Sequence, residues 1–108
     1  MKNIVILIVS LFVGSQLLSA QKTDTIKIET SAQCEMCKER IETALEYESG
    51  VKSAILDEKT KVLTVVFNSA KTKPEKIKTA VSMTGYDADE MAADPKAYSK
   101  LPGCCKKP

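Results

Sequence analysis

The stretch "TIKIETSAQCEMCKERIETALEYESG", residues 25–50, changes its hydrophobic period in mid-course, and that change decides the fold. Thr25 to Thr30 alternates apolar and polar residues, the pattern of a half-buried strand. From Cys37 the spacing becomes helical: Cys37, Ile41, Ala44, Leu45 and Glu48 mark one stripe. Lys38, Glu39, Arg40, Glu42 and Glu46 occupy the remaining faces, and Gly50 stands where a left-handed residue closes a helix at little cost. Strand thus hands over to helix across "SAQCEMCK", residues 31–38, with Cys34 and Cys37 at the junction.

Downstream, Val51–Asp57 and Val62–Asn68 are two β-rich runs joined by the polar turn Glu58-Lys59-Thr60-Lys61, a hairpin by length and composition. Leu63, Val65 and Phe67 face inward in that register. Pro74 sits well in the first turn of a second helix, where its missing amide proton costs nothing. Ile77, Ala80, Val81 and Thr84 follow at helical spacing, Gly85 ends the helix, and Tyr86–Met91 is a short strand candidate. The order βαββαβ predicts an α+β, ferredoxin-like fold: a four-stranded antiparallel sheet with two helices on one face. Periodicity is lost after Ala92. The domain is therefore expected over 21–92, with 93–108 a flexible tail carrying Cys104 and Cys105.

Upstream, "MKNIVILIVSLFVGSQLLSA", residues 1–20, has a basic start, an apolar run and a small-residue end, the layout of a secretory signal peptide. It is short and interrupted for a bilayer span, which needs about 20 apolar residues. Without it, 88 residues remain, enough for one small core. Formal charge drops from +2 to +1 with the loss of Lys2, and the lysines are interleaved with acids. Neither a basic stripe nor an aromatic series is present, which argues against nucleic acid. The expected product is exported, periplasmic and monomeric, without a membrane partner once the leader is gone. Four cysteines in an oxidising compartment first suggest disulfides.

The position of the first pair speaks for active thiols. Cys34 lies in the loop and Cys37 in the first helical turn, where unpaired amides and the macrodipole concentrate positive charge. Thiolate is favoured there, and thiolate both binds metal and attacks disulfides. Location alone does not choose between the two chemistries.

The order of elements together with Cys34-x-x-Cys37, Gly50-Val51, Lys73-Pro74-Glu75 and "TGYDA" at 84–88 resembles the heavy-metal-associated domain. This is the ferredoxin-like module of copper chaperones, metal-pumping ATPases and periplasmic mercury-binding proteins. The resemblance runs from about Thr25 to Met91. It implies a non-enzymatic metal carrier or scavenger with Cys34 and Cys37 as ligands, and a metal transporter or similar protein as donor or acceptor. It also implies that Tyr86 faces the thiols and shields the metal; a half-buried core tyrosine with a wet hydroxyl is the other reading. Ser31-Ala32-Gln33 departs from the family's Gly-Met-Thr or Gly-Met-His, and Ala32 lacks the methionine that packs beneath the loop, which implies a looser loop.

With no histidine in the chain, ligand softness points to Cu(I) at two thiolates. Hg(II) is also within the family's range, and structural Zn(II) would need four ligands, hence both cysteine pairs. Met36 is expected to point outward rather than ligate. Adjacent cysteines bridge each other only with strain. Cys104-Cys105 therefore completes a four-thiolate site, passes metal to the first pair, or forms disulfides with it; accessory metal ligation is the expectation carried forward. Eleven residues from Ala93 span at most roughly 36 Å, against a domain about 25 Å across, so the tail can reach. Two other functions fit the same thiols: a periplasmic thiol–disulfide redox protein, and a small disulfide-stabilised interaction domain. The first lacks the Trp-Cys-Gly-Pro-Cys context and the chain length for a thioredoxin-like fold.

Overall fold

The alternating run becomes β1, Thr23–Glu29, and the helical stripe becomes α1, Glu35–Glu46, in a computed structural model that describes residues 22–108. The expected signal peptide lies outside the described residues. β2 (Val51–Leu56) and β3 (Val62–Asn68) form the hairpin, followed by α2 (Pro74–Thr84). Among the described residues, no helix is long and apolar enough to cross a membrane.

The inward positions agree with the periodicities. β1 and β2 both pair antiparallel with β3, placing Ile28 and Leu56 opposite Leu63, and Ile26 and Ala54 opposite Val65. Leu63, Val65 and Phe67 are buried on this face. Cys37, Ile41 and Leu45 from α1, and Ile77 and Val81 from α2, close over it in one core. Three- and four-residue spacing puts each set on one helical stripe, so one side of each helix loses water while charges stay outside. The opposite sheet face is open, with Ile55 largely exposed. At the edge of β2, the Glu42 carboxylate accepts the Leu56 amide at 2.7 Å while pairing with Lys38.

The fourth strand does not form. Among the described residues the sheet has three strands, in the order β1-β3-β2. Only Ala88 meets the outer edge, bridging Thr30 before turning back to bridge Met91. Asp89 causes the turn: its φ of 52° lies in the left-handed region, which bends the chain away from the strand path. Its amide donates to the Glu29 carbonyl at 2.8 Å, and its carboxylate accepts the Glu29 amide at 2.8 Å. One residue thereby satisfies the end of β1 where a strand was expected. The two helices over an antiparallel sheet remain those of an α+β ferredoxin-like fold.

The segment after residue 93, expected as a flexible tail, is folded onto the domain. It forms a short helix, α3 (Pro95–Ser99), and a 3-10 turn at Gly103–Cys105. Asp94 caps α3 by accepting the Ala97 amide at 3.0 Å, and Pro95 occupies the first turn. The Asp94 amide donates to the Ser82 carbonyl, and the Ser82 hydroxyl donates to the Ala92 carbonyl. Leu101 and Cys105 enter the core. Gly85 makes this approach possible. With φ 109° it ends α2, and a Cβ there would lie 3.1 Å from both the Ala97 carbonyl oxygen and Leu101 Cδ2. Because the chain leaves the sheet at Ala88 instead of crossing as a strand, this strap begins at the same end of the domain as residues 30–34.

Candidate metal centre

Cys34 is the N-cap of α1, in extended conformation and without a side-chain cap bond. Its carbonyl accepts the amides of Cys37 and Lys38, the first bonds of the helix. Cys37 therefore stands one turn in, on the buried stripe, and its sulfur points to the core rather than to water. Before the helix, the Ser31 hydroxyl accepts the Asp87 amide at 2.9 Å, tying this loop to the one that carries Tyr86. Gln33 donates to the Ser31 carbonyl and Ala32 is buried, so the loop expected to be loose is pinned.

All four cysteines are free thiols, and the fold brings them together. Cys34 Sγ lies 3.5 Å from Cys37 Sγ, 3.7 Å from Cys104 Sγ and 3.9 Å from Cys105 Sγ. The sulfurs of Cys34, Cys104 and Cys105 all lie within 4.8 Å of one another. Cys37 and Cys105 are buried, Cys34 is half-buried and Cys104 is exposed. Met36 is 47% exposed.

Their environments separate the protonation states. Burial pushes the Cys37 thiol up, but the Cys105 thiol, the Gln33 amide, the Tyr86 hydroxyl and the Cys34 amide together outweigh it, bringing its pKa to about 7. Cys105 is pushed up to about 12 by burial and by the Cys37 sulfur. At Cys34 the Cys37 amide favours thiolate, yet the adjacent Cys37 sulfur, burial and the Cys104 sulfur raise it. The cluster thus holds one readily ionised sulfur, Cys37, beside the raised thiols of Cys34 and Cys105.

Tyr86 is fully buried, and its hydroxyl has no hydrogen-bond partner among the described residues. Burial first, and then the Cys105 and Cys37 sulfurs, raise its pKa well above the usual phenol range, so it remains a donor. Once Cys37 loses its proton, the sulfur becomes the acceptor that the hydroxyl lacks. Tyr86→Phe is expected to raise the Cys37 pKa above about 7, seen as a shift of its alkylation-rate profile towards higher pH. An unchanged profile would place the hydroxyl outside the thiol site.

The strap that delivers Cys104 and Cys105 is held by contacts that involve no sulfur. The Asp87 carboxylate accepts the Ala93 amide at 2.9 Å and pairs with the Lys107 ammonium, and the Tyr98 hydroxyl accepts the Lys107 amide. Lys107, with Ala93, holds the Asp87 carboxyl below the usual carboxylate range. Asp94 and Tyr98 escape notice in the sequence, and Asp87, inside "TGYDA", and Lys107 give no sign there that they anchor a strap. Only Asp94-Pro95 carried a local signal, an N-cap residue followed by a first-turn proline.

Residues 31–87 match the heavy-metal-associated domain family, so Cys104 and Cys105 lie outside the matched stretch. No curated protein matches the sequence. Among solved structures, the CopZ metallochaperone is 26% identical with a TM-score of 0.58, covering 60% of this chain and 98% of its own. Oxidized MerP from Ralstonia metallidurans CH34 is 25% identical with a TM-score of 0.60, covering 62% of this chain and 94% of its own. The N-terminal domain of a potential copper-translocating P-type ATPase from Bacillus subtilis, in the Cu(I)-loaded state, is 26% identical. Its TM-score is 0.59, and the match covers 62% of this chain and 85% of that one.

Proposed function

Because this chain belongs to the heavy-metal-associated domain family, we propose that it is an exported carrier or scavenger holding Cu(I) between the thiolates of Cys34 and Cys37. Family membership makes it a heavy-metal-binding protein rather than an enzyme. The observation that carries the finer reading is the pair of sulfurs 3.5 Å apart at the entrance of α1, where the Cys37 proton leaves near neutral pH. Soft thiolates without histidine select a soft cation, and Cu(I) is content with few ligands. Export is supported by the signal-peptide composition of residues 1–20.

Transfer follows from the two thiols' unequal environments. Cys37 is buried and easily ionised, so it is the anchoring ligand. Cys34 is half-buried with a raised pKa, so it regains a proton more readily and is released first to an incoming thiolate. The proposed acceptor is a metal transporter of the P-type ATPase kind, supported by the likeness to an ATPase amino-terminal domain. Anaerobic mixing of the Cu(I)-loaded protein with such an apo domain tests this: copper should partition between the two after separation. A reduced protein that takes up no Cu(I) would overturn the reading.

A further inference from the structure

We infer that Cys104 and Cys105 are metal ligands, completing with Cys34 and Cys37 a four-thiolate site for a tetrahedral divalent cation of the zinc and cadmium class. The inference rests on the reading that Cys34 and Cys37 bind metal, and adds ligands from outside the family-matched residues 31–87.

Spacing is the first argument. A tetrahedron of sulfurs with metal–sulfur bonds of about 2.3 Å has edges of about 3.8 Å. The three distances from Cys34 to the other sulfurs, 3.5, 3.7 and 3.9 Å, bracket that edge, and Cys34, Cys104 and Cys105 lie within 4.8 Å of one another; Cys37, which touches this trio through Cys34, must move closer to it to complete the tetrahedron. Two-coordinate binding needs no such gathering of four.

Preorganisation is the second. The strap is positioned by Leu101 over Gly85, by Asp94 on Ser82, and by Lys107 on Asp87 and Tyr98. The ordering of residues 94–107 is therefore met by folding and not by the metal, which leaves more of the ligand binding energy for affinity. The third argument is an unsatisfied donor: the Tyr86 hydroxyl is fully buried, unpartnered, and placed against the Cys37 and Cys105 sulfurs. Thiolates held by a cation keep their negative charge beside that hydroxyl, which supplies its missing acceptor. Exposed Cys104 leaves one side open for the cation to enter.

The consequence is selectivity. A two-thiolate clamp suits Cu(I), whereas four thiolates around one monovalent ion leave excess negative charge in a partly buried site. A divalent d10 cation offsets more of that charge and prefers four ligands. The docked strap thus adds divalent binding to a Cu(I) carrier.

Anaerobic titration of the reduced full-length protein with Cd(II), followed by thiolate-to-cadmium charge-transfer absorbance, tests this. Wild type should saturate at one ion per chain. Cys104→Ser/Cys105→Ser should lose about half the absorbance per bound ion and bind Cd(II) about 100-fold more weakly or worse. Cys105 is buried, so Cys104→Ser alone, at an exposed position, serves as the variant without a folding penalty. It should lose about a quarter of the absorbance. Full absorbance and affinity in Cys104→Ser, or saturation at one ion per two chains, would overturn the inference. Cu(I) competition in the same proteins separates the two readings. If Cys104→Ser changes nothing while Cu(I) still binds through Cys34 and Cys37, only the four-thiolate site falls. If wild type binds neither ion, both fall.

Discussion

Replacing Cys34 and Cys37 together by serine is expected to abolish tight Cu(I) binding, lowering affinity by at least about three orders of magnitude, or roughly 4 kcal/mol. A serine hydroxyl is a hard, protonated ligand and does not replace a thiolate at a soft cation. The fold should survive the change. Cys34 is an N-cap with no side-chain cap bond, and serine is among the preferred N-cap residues, so that substitution alone contributes about 1 kcal/mol to the helix. Cys37→Ser places a hydroxyl in the core at a cost of about 1–3 kcal/mol. The net loss is at most about 2 kcal/mol, and a circular-dichroism melt should show a folded domain. Anaerobic competition against a chromophoric Cu(I) chelator measures the binding loss. Equal affinity in the variant and the wild type would remove both cysteines from the site.

The second large effect concerns the strap. Leu101→Ala should cost about 2–4 kcal/mol, because Leu101 is only 5% exposed and lies on Gly85, where no Cβ intervenes. The loss cannot exceed what holds the strap down, so it should appear as local opening of residues 94–108 before the sheet melts. Cys105, four residues beyond, reports that opening directly. Its sulfur is buried in the native protein, and its alkylation should accelerate about tenfold for every 1.4 kcal/mol lost. Unchanged Cys105 reactivity together with a lower global melting temperature would instead put Leu101 in the main core, with no separable strap.

The contrast between the readable and the unreadable parts of this chain has one physical root. α1, α2 and the β2–β3 hairpin were legible because each buries a face long enough to leave a period: Cys37, Ile41 and Leu45 in one case, Leu63, Val65 and Phe67 in another. The caps at Gly50 and Gly85 reinforced the ends, and both have positive φ. Cys34 and Cys37 were legible for the same reason, since their place between strand and helix follows from those periods.

Residues 86–105 leave no period. "YDADEM" stands in the fourth strand's place in the order of elements, but a left-handed Asp89 is a single-residue event that alternation cannot reveal. α3 is one turn of helix, too short for a stripe, so Asp94-Pro95 was its only visible signal. The meeting of the four sulfurs depends on both misses together. A completed fourth strand would have started the strap at the far end of the domain, whereas the turn at Ala88–Met91 starts it beside the thiols. The expectation for Cys104-Cys105 rested on reach and on the strain of a bridge between neighbours; the structure adds their nearness, 3.7 and 3.9 Å from Cys34.

X-ray absorption at the copper edge of the reduced, Cu(I)-loaded protein tests most directly whether sulfur from this cluster holds the cation. Sulfur alone is the predicted nearest shell, and that shell should disappear in Cys34→Ser/Cys37→Ser. A shell dominated by nitrogen or oxygen, or copper that washes away from the wild-type protein on desalting, would contradict it.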